Sequence, residues 1–169
     1  AVEQAEQWKA MGRATAVFFD PAMHQRLARA QAMEAALRHA IARREFRLVY
    51  HPIVDLQTGA TTSVEALLRW RHPERGSVSP SEFIPIAEES SLILPVGEWV
   101  LHEACRQWMA WHRAIPERTP AVMSVNLSRV QMHQGDRLIA HVQHVLDDTG
   151  MPPARLQLEV TEREVMRDP

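Results

Sequence analysis

The sequence predicts an α/β fold that forms part of a TIM-like (β/α) barrel, with roughly its first four strands. Two observations support this prediction. Short runs of β-favouring residues alternate with longer stretches of helical periodicity, which is the order found in parallel sheets. Several of these runs also place apolar residues on one strand face and polar residues on the other, because side chains alternate along a strand. In a β/α barrel the apolar face packs against outer helices, and the other face points into the barrel.

The N-terminal segment, residues 1–31, is predicted to lie outside the barrel. Residues 1–13 have a helical pattern that ends near Gly12, and a short β-like run follows over residues 14–19. A further helix is predicted from Pro21 to about residue 44, leading into the second domain, residues 32–169.

The first two predicted strands are residues 46–54 and 61–70. In the second strand, Glu65, Leu67 and Arg69 share the face opposite the aliphatic residues and Trp70. A carboxylate and a guanidinium on a buried strand are costly unless they have a partner or a ligand. The alternative is that Glu65 and Arg69 neutralise each other. They are four residues apart, however, and a strand rises by about 7 Å for every two residues, which is too far for direct contact.

Two later strands, residues 121–128 and 156–162, repeat this pattern. Three strands therefore each carry an oxygen ligand opposite their aliphatic face: Glu65, Asn126 and Glu159. In a β/α barrel, polar groups at the C-terminal ends of the strands converge on one mouth. Two carboxylates and an amide oxygen are ligands that Mg2+ or Mn2+ prefers.

The segments between these strands are predicted as loops and helices. Residues 71–76 have the composition of a polar turn, and residues 79–82 open a helix with capping-type chemistry. Longer amphipathic helices are predicted over residues 95–113 and 136–148, the latter ending at Gly150.

Composition restricts the binding partners and the cellular location that we expect. The 169 residues carry a formal net charge of −2, so nothing indicates nonspecific binding to DNA or to an anionic membrane. No apolar run approaches the ~20 residues of a membrane span. The single Cys105 excludes an internal disulfide and, with no export signal at the start, fits a cytoplasmic location. Any membrane anchor is expected in segments beyond these residues.

Five blocks in the chain resemble, in order, the motifs of EAL domains, the bacterial phosphodiesterases that hydrolyse cyclic di-GMP. The resemblance runs from about Ala32 to the last residue. The blocks are Tyr50-His51-Pro52-Ile53-Val54-Asp55, Glu65-Ala66-Leu67-Leu68-Arg69-Trp70, Phe83-Ile84-Pro85-Ile86-Ala87-Glu88-Glu89, Val125-Asn126-Leu127-Ser128 and Leu158-Glu159-Val160-Thr161-Glu162. The resemblance implies metal-dependent hydrolysis of cyclic di-GMP to linear pGpG, with Mg2+ or Mn2+, and a homodimer.

The resemblance also implies roles for individual residues. Glu65, Asn126 and Glu159 match the family's metal ligands, and Glu65 thereby takes part in catalysis. Glu162 matches a glutamate that steadies a catalytic loop. Arg69 would neutralise a phosphate oxygen, and Leu67 would pack against the substrate.

The clearest departure is His51, which stands where the family has a glutamine that helps hold the substrate. Ser91 likewise stands where the family usually has glycine. His51 keeps open an alternative function, in which a degenerate EAL domain binds cyclic di-GMP as a signalling receptor without cutting it.

The ends of the chain carry two further expectations. A complete barrel takes ~250 residues, and the family's Asp-Asp pair and lysine would follow Pro169. We therefore expect a fragment that is inactive, or nearly so, by itself. Residues 1–31 resemble the C-terminal tail of a GGDEF domain, the alternative being a linker helix.

Overall fold

The computed structural model describes residues 21–160. The GGDEF-like run before Pro21, and Glu162, lie outside the described residues. The chain divides into two compact units between Ala32 and Met33. Residues 21–32 of the first unit are helical, and the second unit contains the sheet.

The described part of the chain has a mixed α/β architecture. In chain order its strands and α-helices are α1 (Pro21–Ala40), β1 (Phe46–Val54), β2 (Thr61–His72), β3 (Gly76–Val78), α2 (Pro80–Glu89), α3 (Ile93–Ala114), β4 (Val122–Leu127), α4 (Arg129–Met132), α5 (Asp136–Thr149) and β5 (Leu156–Val160). Short 3-10 turns at Pro116–Arg118 and Pro153–Arg155 lead into β4 and β5.

The strands form one sheet in the order β1-β2-β4-β5, with β3 attached to β2. Strands β2, β4 and β5 are parallel, and α3 and α5 make the two crossovers, as the sequence pattern predicts. Strand β1 is instead antiparallel to β2, because the turn over residues 55–60 joins them directly as a hairpin. In that turn, Asp55 Oδ1 accepts hydrogen bonds from the main-chain amides of Thr58 and Gln57, which lower the pKa of Asp55.

The polar turn predicted over residues 71–76 is present but shorter, because only residues 73–75 form the turn. Strand β2 continues to His72, and β3 pairs back on it with Trp70 opposite Val78. The chain reverses there because His72 Nδ1 accepts hydrogen bonds from the amides of Glu74 and Arg75, and Gly76 adopts φ +70°. As expected, Ser79 is the N-cap residue of α2 and Pro80 begins the helix, but Ser79 makes no side-chain capping bond, and its hydroxyl is hydrogen-bonded to that of Ser81.

The core lies between the sheet and its helices. It includes an aromatic cluster whose neighbouring ring centroids are 5.4 to 6.0 Å apart. The rings belong to Phe46, Trp70, Phe83 and Trp99. Trp70 is fully buried, and its Nε1 donates to Oε2 of Glu45 at 2.9 Å, which gives the buried carboxylate a partner.

Cys105 is also part of this core, as expected. Burial raises the pKa of its thiol to about 11, so the thiol stays protonated at neutral pH. Among the helices of residues 21–160, none combines the length and the apolar character needed to cross a membrane.

We expect Trp70→Phe to lower the free energy of unfolding by about 3 kcal/mol, because it leaves the buried Glu45 carboxylate without its donor and removes core volume. Urea denaturation measures the change. Glu45→Gln, which keeps an acceptor oxygen, should cost less. If Trp70→Phe and Glu45→Ala prove additive in a double-mutant cycle, the hydrogen bond contributes nothing to stability.

We expect Ser91→Gly to stabilise the protein by up to about 1 kcal/mol. Ser91 has φ +59°, a left-handed conformation that is unfavourable for serine and accessible to glycine. The neighbouring Ser90 has φ −90° and donates from Oγ to the Ile86 carbonyl oxygen, so Ser90→Gly is a destabilising control. Equal thermal midpoints for the two variants would show that the strain at Ser91 is negligible.

Candidate functional site

One face of the sheet packs on the helices, and the opposite face, here called the polar face, carries the predicted site residues. Strand register aligns four polar side chains across β1, β2, β4 and β5 in one row. In order across the sheet they are His51, Glu65, Ser124 and Gln157. Apolar burial produces this arrangement: Val64, Ala66, Met123 and Val125 occupy the helix-facing side, and alternation turns their neighbours the other way.

Glu65 and Asn126 meet on the polar face. The Asn126 Nδ2 donates to Glu65 Oε1 at 2.6 Å, although the two residues are 61 positions apart in the chain. Two residues C-terminal of Ser124 on β4, Asn126 lies beyond the row that contains Glu65, so the glutamate side chain extends along the sheet to reach it. The predicted convergence of these two ligand candidates is therefore present in the structure.

Glu159 lies on the strand next to Asn126. The two residues are register partners in the parallel β4–β5 pair, and register partners point to the same face. The Glu159 carboxylate also accepts a hydrogen bond from Gln157 Nε2 at 3.2 Å. Glu65, Asn126 and Glu159 thus occupy three successive strands of the sheet on one face.

Leu67, Arg69 and Asn126 line a cleft at the C-terminal ends of β2 and β4. Its volume is about 260 Å³, and α2, α3 and the segment after β4 supply the other walls. Arg69 donates from Nη1 to the carbonyl oxygen of Leu68 at 2.9 Å. Within residues 21–160 no ion pair joins Arg69 to Glu65, so the self-neutralising alternative is not what the structure shows.

His51 is the register partner of Glu65 and is exposed at the outer strand of the hairpin. It lies outside the lining of the Arg69 cleft. Glu162, the remaining predicted site residue, falls outside the described residues.

The donor chemistry of the three ligand candidates fits a hard divalent cation. Asn126 presents its amide nitrogen to Glu65, and rotation of the terminal amide by half a turn would present its oxygen instead. Within residues 21–160 no group of three or more His, Cys, Asp or Glu side chains is placed to hold an ion.

The sequence interpretation assigned no role to three polar residues around this site. Ser124 is buried at the centre of the polar row, and Gln157 holds the carboxylate of Glu159. Gln131 forms a capping box with Ser128, directly after β4. A signal for the last was present in the sequence, because serine followed three residues later by glutamine is a recognisable helix start.

Parallel strands with acidic and amide side chains on one face, joined by helices that cover the other face, define this chain as part of a β/α-barrel domain. The sequence model of the EAL domain matches residues 34–169. The chain therefore belongs to the EAL domain family, as its motifs indicate.

The chain is also similar in sequence to known bacterial proteins. The bifunctional diguanylate cyclase/cyclic di-GMP phosphodiesterase MucR of Pseudomonas aeruginosa is 40% identical over 161 residues, 95% of this chain and 23% of MucR. An uncharacterized protein of Sinorhizobium fredii, y4lL, is 43% identical over 163 residues, 96% of this chain and 19% of that protein.

Among solved structures, a MucR phosphodiesterase in complex with c-di-GMP superimposes with a TM-score of 0.75 and 41% sequence identity. The alignment covers 81% of this chain and 54% of the MucR chain. This chain thus spans about half of that solved domain and about a fifth of the length of the curated relatives.

We expect Asn126→Asp to lower the free energy of unfolding at neutral pH by up to about 1 kcal/mol, because a second carboxylate then faces Glu65 at a partly solvated site. The thermal midpoint falls accordingly. Like-charge contact raises the folded-state pKa of the pair above the unfolded value near ~4. The penalty is therefore nearly absent at pH 3, grows as pH rises from the unfolded pKa to the raised folded pKa, and is fully present above the raised pKa.

Saturating Mn2+ should restore the midpoint of Asn126→Asp more than that of the uncharged control Asn126→Leu, since a cation offsets the repulsion. Thermal denaturation at several pH values, with and without Mn2+, measures both effects. The placement of these two side chains would be contradicted if the difference in midpoint between Asn126→Asp and the wild-type protein did not depend on pH.

Proposed function

We propose that this chain forms part of a metal-dependent phosphodiesterase that hydrolyses cyclic di-GMP to linear pGpG. The observation that carries the proposal is the contact between Asn126 and Glu65, with Glu159 on the adjacent strand of the same face. Two acidic residues and one amide at these positions match the ligand set that the family resemblance implies for Mg2+ or Mn2+.

Glu65, Asn126 and Glu159 would hold the cation. When bound, a divalent cation lowers the pKa of a coordinated water and neutralises charge on the phosphate. The protein's own contribution is to fix the three ligands. Strand register sets the spacing of Asn126 and Glu159, and Gln157 orients the Glu159 carboxylate through its amide hydrogen bond.

Arg69 and Leu67 would bind the substrate in the cleft beside Asn126. Arg69 is half-buried and uses one guanidinium nitrogen to bond a carbonyl, so its other donors remain for a phosphate oxygen. Leu67 supplies apolar contact at the same wall. The solved MucR structure is a complex with c-di-GMP, and it is similar to 81% of this chain. This similarity supports the choice of ligand.

A second candidate function rests on His51. This residue lies beside Glu65 in the strand register, and it stands where the family has glutamine, so it would alter a substrate contact next to a proposed metal ligand. The alternative is a receptor that binds cyclic di-GMP without hydrolysis.

A homodimer and a cytoplasmic location complete the proposal. Light scattering tests the first, and cell fractionation tests the second. The choice between Mg2+ and Mn2+ is decided by comparing turnover with each ion.

We expect Glu159→Gln to reduce turnover of cyclic di-GMP at least ~100-fold, because loss of a ligand should exceed the 10- to 100-fold effect of losing an outer-shell partner. Glu89→Gln, an exposed residue of α2, is the matched control and should leave the rate unchanged. Since this chain covers about half of the solved MucR domain, pGpG formation is assayed on the whole protein that contains it.

Three outcomes distinguish the candidates. Turnover that requires Glu159 supports the phosphodiesterase. Cyclic di-GMP binding with no pGpG in either ion supports the receptor, and gain of turnover in His51→Gln would then assign the loss to that substitution. The absence of both cyclic di-GMP binding and turnover would overturn both candidates.

A further inference from the structure

The segment that follows Asn126 is held by a buried polar network outside the proposed ligand set. Ser128 and Gln131 are both buried, with 7% and 8% of their surface exposed. Gln131 Oε1 accepts hydrogen bonds from the Ser128 amide and from the Ser128 hydroxyl, both at 3.1 Å. The main-chain N–H of Gln131 in turn donates to Ser128 Oγ at 3.3 Å. This is a reciprocal capping box.

The helix that this box begins cannot account for the order of the segment. Helix α4 contains only the residues Arg129–Met132, and a single turn of helix is unstable without tertiary support. The burial of Ser128 and Gln131 shows that the support comes from packing against the rest of the domain.

That packing depends on Gly97 of α3. A Cβ atom placed on Gly97 would lie 2.1 Å from Gln131 Nε2, 2.6 Å from Cδ and 2.9 Å from Oε1. Each of these distances is shorter than real Cβ contacts, so any other residue at position 97 displaces the Gln131 side chain. Glycine is less favourable than alanine within a helix, and at position 97 it leaves room for the side-chain amide of Gln131 against the α3 backbone.

The network lies next to the proposed cation ligand. Ser128 is two residues from Asn126, and Leu127 between them is buried, so the backbone from Asn126 to Ser128 is anchored on the helix side. Gln131 and Gly97 also line the cleft that contains Arg69 and Asn126. A displacement of the capping box would therefore shift Asn126, whose Nδ2 lies 2.6 Å from Glu65 Oε1.

We propose that Gln131, seated on Gly97, is a positioning residue that holds Asn126 against Glu65. This inference rests on the proposed function for its consequence, because an Asn126 displaced by a few tenths of an ångström would bind a divalent cation less well. Gln131 itself contacts neither the cation nor the substrate in this proposal.

The test compares two substitutions of similar size. Gln131→Glu keeps an oxygen that can accept from Ser128, whereas Gln131→Leu removes it. Mn2+ affinity is measured by calorimetry below the unfolding temperature of each variant. We expect Gln131→Leu to weaken Mn2+ binding roughly 10- to 100-fold and Gln131→Glu to retain most of the affinity. Gln143→Leu, at an exposed glutamine of α5, is the control and should change nothing.

A second readout does not need the metal. The side-chain amide protons of Asn126 give NMR signals whose exchange with water is slowed by the bond to Glu65. Exchange should be faster in Gln131→Leu and near wild type in Gln131→Glu. If wild-type protein binds no Mn2+, the proposed function loses its cation, while the amide signals still decide the role of Gln131.

Gly97 provides an independent arm. We expect Gly97→Ala to accelerate Asn126 exchange when Gln131 is present and to have no further effect in a Gln131→Ala background, where the obstructing amide is gone. The inference is overturned if Gln131→Leu lowers only the thermal midpoint, leaving Mn2+ affinity and Asn126 exchange unchanged. Full additivity of Gly97→Ala and Gln131→Ala would overturn it as well.

Discussion

The structure depends on one constraint: each parallel strand must bury one face against helices. Met123, Val125 and Leu127 on β4 are almost completely buried, and the two-residue period of a strand then forces Asn126 onto the opposite face. The same period turns Glu65 and Glu159 to that face. A slip of one residue in any of these strands would bury the polar set and expose the aliphatic one. The hydrophobic effect therefore fixes the placement of the candidate site before any bond within it forms.

Much of this arrangement can be predicted from the sequence because it follows from local periodicity. The strands with Glu65, Asn126 and Glu159, the long helices between them and the end of α5 at Gly150 are all predicted by alternation, amphipathicity and turn chemistry. What cannot be predicted this way depends on partners distant in the chain. The bond from Trp70 to Glu45 and the hydrogen bond that Asn126 donates to Glu65 each require knowledge of register.

Short elements escape prediction for a different reason. Strand β3 has three residues and α4 has four, so neither contains enough of a period to be recognised. Both are set by tertiary contacts: β3 by pairing with the end of β2, and α4 by the seat of Gln131 on Gly97. The capping box of Ser128 and Gln131 has a signature in the sequence, but the packing of Gln131 on Gly97 has none, and the proposed geometry of Asn126 depends on that packing. Residues outside the ligand set are therefore where further functional positions should be sought.

The most direct test of the account is a crystal structure of the whole protein grown with Mn2+ and cyclic di-GMP, with the ion located by its anomalous scattering. The account predicts one Mn2+ bound by Glu65, Asn126 and Glu159 together, with the Asn126 amide turned so that its oxygen faces the ion, and a phosphate beside Arg69. An ion bound elsewhere, with Asn126 still donating its amide nitrogen to Glu65, would contradict the central claim.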